Sequence, residues 1–282
     1  MSRRRAGDIC FISLCLAFAA AALSLLFIIL GYIIWRGVPA ITPGFLTEGA
    51  RDFGAAGGVF YQISGTILLM VTAGLISLPV ALGTALFNHE YMRPSYKKTT
   101  DLFIYALSGV PTIIFGLLGY ILIGGVLHLG VSWVTGSIIL AIMILPTMTL
   151  SIDEALCAMP LKYREAALAL GLGRWHLIRA LLLPRTIPGL LTGLFLGLAR
   201  AAGETAAIMF TATAFSGVGL PRSLSEPVAT LQTHILVLAG EATNPRALTN
   251  AWGAALILVT LVLILSLSAM FARRRVQMEA EK

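Results

Sequence analysis

Arg200 and Glu204 are the two charged residues in a stretch that otherwise reads as membrane-buried, Gly189 to Phe215 (GLLTGLFLGLARAAGETAAIMFTATAF). At ~1.5 Å of rise per residue, Arg200 lies ~15 Å beyond Leu190, near the middle of a ~30 Å hydrocarbon layer. An ionised side chain there costs at least ~2.5 kcal/mol, so it normally faces protein or a water path and marks a function. Two chemistries fit the pair. A guanidinium is a planar fork of donors that never deprotonates, which suits a tetrahedral oxyanion. A carboxylate one turn away would partly neutralise it when the path is empty, and would keep the anion from binding too tightly to leave. The other reading is a buried structural ion pair holding two helices together.

The i, i+4 spacing predicts that both charges lie on one face of a single helix. Gly189, Gly193, Gly197, Ala201 and Thr205 recur every four residues and make a small-residue stripe for close helix contact. Arg200 and Glu204 flank that stripe by ~60°, which turns them toward the bundle interior.

Other chemistry is missing from the chain. No lysine follows a glycine, so a phosphate-cradling Walker A loop cannot be built and any ATP must be bound by a partner. His89, His128, His176 and His234 have no metal-ligand spacing, and no metal or cofactor site is expected. Nothing points to nucleophilic catalysis, so the chain is not expected to be an enzyme by itself.

The elements that must hold these charges follow from composition. With 58% hydrophobic and 12% charged residues over 282 positions, the chain is too apolar for a soluble protein. It reads as an all-α, polytopic membrane protein, one transmembrane domain over 1–282 with six spans at about 9–35, 63–87, 102–127, 131–150, 189–215 and 251–272. The first apolar run is too long for a signal peptide and reads as a retained anchor. Cys10, Cys15 and Cys157 are expected to be free thiols.

Of the 20 Lys and Arg residues, the loops assigned outside hold Arg36, Arg51, Arg222 and Arg246. Arg200 lies within a span, and all the rest fall in segments assigned inside. That asymmetry places both termini in the cytoplasm of a plasma-membrane protein. The net charge of +7 is dispersed at the ends of apolar runs, so it reads as a topology signal and not as a nucleic-acid surface.

The inside segment 151–188 is a second region of interest. Tyr163, Ala166, Ala167 and Leu170 follow i, i+3, i+4, i+7 and predict one apolar stripe. Gly171 and Gly173 then predict a helix stop and a sharp turn. Such a helix fits a groove in another protein or, equally, the bilayer surface.

Glu165-Ala166-Ala167, Gly171, Leu181 and Leu183-Pro184 resemble the EAA signature of permease subunits in binding-protein-dependent ABC importers. The resemblance implies that this segment forms coupling helices docking on a separate ATPase, with Glu165, Ala166, Ala167, Gly171, Leu181 and Pro184 as the contact residues. Gly57-Gly58-Val59-Phe60, Gly65-Thr66, Asn88-His89-Glu90-Tyr91, Gly109-Val110-Pro111-Thr112-Ile113-Ile114-Phe115-Gly116 and Ala199 to Thr205 resemble the phosphate-permease branch of that family. Two departures stand out: Ala206-Ala207 where the family often has a proline, and His89 inside the asparagine–glutamate element.

The resemblance implies a second, homologous permease, two cytoplasmic ATPase subunits that bind ATP, and an extracytoplasmic phosphate-binding protein. It also implies a substrate pathway along Arg200, Glu204 and Thr205. Two alternatives remain: an importer for another oxyanion such as sulfate or phosphonate, and an ion-coupled secondary transporter with Glu204 as its proton site.

Overall fold

The computed structural model describes residues 2–214, 219–241 and 244–280 of the chain, which is helical nearly throughout. Helix α1 (Ser2–Gly37) leads through α2 (Pro43–Thr47) and a small antiparallel hairpin, β1 (Ala50–Arg51) with β2 (Ala56–Gly57), into α3 (Phe60–Glu90). Helices α4 (Pro94–Gly109) and α5 (Thr112–Gly119) follow, α5 running on into a π-helical turn at Tyr120–Val126. Helix α6 (Trp133–Cys157) precedes α7 (Leu161–Ala169) and α8 (Arg174–Leu177). A π segment (Ile178–Leu182) joins α8 to α9 (Leu183–Gly203), and α10 (Ala206–Thr211), α11 (Leu231–Gly240) and α12 (Pro245–Ala280) complete the chain.

Five of these runs are long and apolar enough to cross a membrane, and one bent pair makes a sixth span. The six-span architecture therefore holds, with three corrections. The expected straight span at 102–127 is broken, because α4 and the α5 run meet at 92°. Pro111 lacks an N–H and forces the preceding Val110 into an extended conformation (φ −69°, ψ 129°), so the helix cannot pass through.

The second correction concerns the fifth span. Its helical run begins at Arg174, inside the segment expected to be a loop, and α9 ends at Gly203, well short of Phe215. Phe215 itself lies outside the described residues. Pro184 and Pro188 do not stop the run. Pro184 sits in the first turn of α9, where its missing N–H matters little, and the π segment just before it absorbs the mismatch. The third correction is α11, a short apolar helix in the stretch assigned outside that carries Arg222 and Arg246.

Helices α3, α6, α9 and α12 form the centre of the bundle. Leu69, Leu140, Ile144, Met148 and Ala201 are among its fully buried residues. The small-residue stripe of α9 faces α6 as expected. A Cβ on Gly193 would lie 3.0 Å from Met148 Cα, and one on Gly189 would lie 2.5 Å from the Ser151 carbonyl oxygen. The two backbones are therefore in contact, which only small residues permit.

Helix α1 packs chiefly on α12, with Tyr32 edge-on to Trp252 at 5.2 Å. Its Leu16, Phe18 and Phe27 are exposed, as expected of side chains that meet lipid. Cys15 and Cys157 are free thiols.

Candidate functional site

Arg200 lies in the last turn of α9, where a cation complements the partial negative charge of the helix end. It is half-buried, as are Glu204 and Thr205. The expectation that Arg200 and Glu204 share one face of one helix is corrected. The helix stops at Gly203, and Glu204 is extended (φ −74°, ψ 123°) before Thr205 leads into α10. The i, i+4 spacing therefore no longer sets their relative direction. Among the described residues the two do not form a direct ion pair. Thr205 drops out of the small-residue stripe for the same reason.

A helix end inside a membrane leaves carbonyls without partners, and each must be satisfied. The Glu204 N–H donates to the Ala201 carbonyl at 3.2 Å. The Ala202 carbonyl accepts from the amide of Gln232 on α11. Gln232 is itself buried and accepts from Thr66 Oγ1 of α3 at 3.3 Å, while the N–H of Leu231 donates to the same Thr66 oxygen at 3.0 Å. The break is thus held from outside by α3 and α11.

The segment Gly109 to Gly116 supports the other side of the break. The bend at Pro111 brings Thr112, the first residue of α5, beside the Glu204 carboxylate. Gly116 lets α5 lie against α10, since a Cβ there would sit 2.9 Å from Ala207 Cα. Ala207 is fully buried in that contact, which favours a small residue there.

The segment 151–188 divides in two. The stripe expected over Tyr163, Ala166, Ala167 and Leu170 does not stay together. Ala167 is buried, whereas Tyr163, Glu165, Ala166 and Leu170 are exposed, Leu170 by 81%. Gly171 adopts φ +74° with open space around it. The Leu172 N–H reaches back to the Ala167 carbonyl at 3.2 Å, the closure of a helix by a left-handed residue. Leu181 is half-buried against the core and Pro184 is exposed, and both belong to the continuous helical run that becomes α9. One polypeptide rod therefore connects the turn after Gly173 to Arg200.

Two elements escaped the sequence. Gln232 gave no signal, because Leu231 to Leu238 is too short for a span and lies in a loop of mixed composition. Arg164 counted only as an inside charge, yet its Nη2 donates to Glu90 Oε2 at 3.1 Å. The described residues contain no cluster of side chains able to hold a metal ion.

Residues 77–278 match the family described as "Binding-protein-dependent transport system inner membrane component". The chain is 32% identical over 271 residues to the probable ABC transporter permease protein YqgI of Bacillus subtilis, covering 91% of this chain and 90% of that one. It is 33% identical over 242 residues to the phosphate transport system permease protein PstA of Xylella fastidiosa, covering 84% and 82%. Its fold matches a chain of the bacterial alginate ABC transporter, solved in complex with an alginate pentasaccharide-bound periplasmic protein (TM-score 0.67, 16% identity, 95% of each chain).

The fold and these matches define a class, the permease subunits of ABC importers. The chain belongs to the binding-protein-dependent inner-membrane component family and is a non-catalytic, multi-pass membrane subunit. The ion-coupled rival gained one structural feature, a broken helix at Glu204, but family membership assigns the chain to the ABC class.

Proposed function

We propose that this permease carries inorganic phosphate into the cytoplasm, with both termini on the cytoplasmic side. It works beside a second, homologous permease, two ATPase subunits that bind ATP, and an extracytoplasmic phosphate-binding protein. Arg200, Glu204 and Thr205 line the path, and α7 with Gly171 docks on the ATPase. The observation that carries the reading is Arg200. It is a half-buried guanidinium near mid-membrane that makes no direct ion pair among the described residues, in a protein whose relatives include phosphate permeases. An unpaired guanidinium that deep calls for an anion, and a phosphate oxygen pair matches its fork.

The exposed apolar side chains of Tyr163, Leu170, Leu172 and Trp175 support the docking role, because four such groups near one turn suit a protein groove. Uptake of radiolabelled phosphate into proteoliposomes holding the full complex tests the substrate. The expected result is ATP-dependent phosphate accumulation that excess sulfate does not suppress. Sulfate or phosphonate accumulating in its place would assign the site to another oxyanion.

A further inference from the structure

Glu90 is the one carboxylate in the buried class among the described residues, its side chain 1% exposed at the cytoplasmic end of α3. Its Oε2 accepts from Arg164 Nη2 on α7 at 3.1 Å, and its Oε1 lies 3.1 Å from His89 Nδ1. Arg164 Nε is buried without a partner, and among the described residues Glu90 accepts the one side-chain hydrogen bond that this guanidinium donates. Apart from Ala167, the side chains described on α7 are exposed or half-exposed, and the helix packs closely only on α8. Among the described side chains, α7 is thus attached to the bundle by Ala167, by the Glu90–Arg164 ion pair and by the Arg185 guanidinium of α9, which lies over the Tyr163 ring at 5.4 Å.

We propose that the Glu90–Arg164 pair is the positioning link through which movement of the docking helix α7 reaches the transport path. A buried ion pair is weak evidence for stability, since well-packed apolar groups often do as well. What it adds is direction. A charge-assisted hydrogen bond fixes the distance and angle between two elements, where an apolar contact can slide.

The far end of the link is also built. Helix α3 is continuous over 31 residues, with Pro79 between Glu90 and its middle. Midway along it, a Cβ at Gly74 would meet Leu198 at 3.0 Å, two residues before Arg200. Near its outer end, Thr66 bonds Gln232, which holds the Ala202 carbonyl at the break. Displacing the base of α3 therefore shifts both supports of the Arg200 segment. This inference rests on the docking role proposed above for α7.

The test uses the full complex, with its second permease, ATPase and binding protein, in proteoliposomes. The variants are Glu90→Gln and the apolar pair Glu90→Leu with Arg164→Leu, the latter removing both buried charges so that folding is spared. Both are expected to retain the co-purifying ATPase and to hydrolyse ATP within about twofold of the parent, while phosphate moved per ATP falls about tenfold. A Leu–Leu complex that transports at the parent ratio would overturn the link, as would loss of the ATPase in step with transport.

A second measurement does not depend on the substrate. Spin labels at Phe87→Cys and Lys162→Cys, with the natural cysteines replaced, should give one narrow distance with and without ATP, and a broad one in the Leu–Leu variant. An equally narrow distance in that variant would also overturn the proposal. If the parent complex accumulates no phosphate, the substrate assignment fails and this distance still decides the link.

Discussion

The turn after α7 and the α9 break at Glu204 are both places where a helix stops, yet they stop for opposite reasons. Helix α7 ends on its own residues. Gly171 takes φ +74°, its neighbours close the last turn, and a Cβ built there would point into open space. Helix α9 ends where remote side chains accept the consequences, with Gln232 on the Ala202 carbonyl and Thr112 beside Glu204. A local stop can sit on an exposed surface and be offered to a partner. A stop in the membrane has to be surrounded, because unsatisfied backbone groups there cost several kcal/mol each. The first geometry suits docking, and the second suits holding a charge at a fixed depth.

The largest effect should come from the charge at the break. Arg200→Gln is expected to leave the complex assembled and to reduce phosphate uptake by about 10-fold to 100-fold, the worth of one charge-assisted hydrogen bond of ~1.5–3 kcal/mol. Arg200→Lys keeps the charge without the fork and should give partial uptake. The double change Arg200→Gln with Glu204→Gln should assemble and remain defective. Full uptake by that double variant would show that the pair only maintains structure.

A smaller effect separates tertiary packing from local conformation. Gly193→Leu drives a side chain into Met148 and Ser151, and should destabilise the α6–α9 contact by roughly 1–3 kcal/mol, seen as a lower melting temperature in detergent. Gly171→Ala meets no neighbour, so its penalty is the left-handed backbone alone, about 1–2 kcal/mol at most and confined to the turn. Gly171→Asp adds a charge on the docking surface. It should leave thermal stability near that of Gly171→Ala while lowering co-purification of the ATPase. Equal loss of ATPase in both variants would assign the effect to the turn and not to the contact.

The smallest perturbation is a test of sidedness with no energetic effect on the fold. Thr47, Ser223, Ser95 and Trp175 are all exposed, so labelling of single cysteines there reports location and not burial. Outside reagent should reach Thr47→Cys and Ser223→Cys in intact cells, and should miss Ser95→Cys and Trp175→Cys. Labelling of the last two would invert the topology and place α7 on the wrong side for an ATPase.

Much of this division was legible in the residues. Hydropathy marked the apolar regions but missed the bend at Pro111 and the bounds of the fifth run, and the four-residue recurrence of Gly189, Gly193, Gly197 and Ala201 identified the face of α9 that meets α6. The stop at Gly171 followed from glycine at the end of a helical pattern. The break after Gly203 did not, because glycine, glutamate and threonine also occur within membrane helices, and nothing in the local pattern requires a stop there.

Local chemistry determined what could be read locally: which segments prefer lipid, which face of α9 is small, and where α7 ends. The tertiary structure alone decided where α9 breaks, how α5 folds back and what anchors α7. Those outcomes depend on partners far along the chain, Gln232 lying 30 residues from Ala202 and Arg164 lying 74 from Glu90. A buried carbonyl or carboxylate is indifferent to the sequence distance of its partner. It requires only that the fold deliver a donor at bonding distance, and that delivery is a property of the packed bundle.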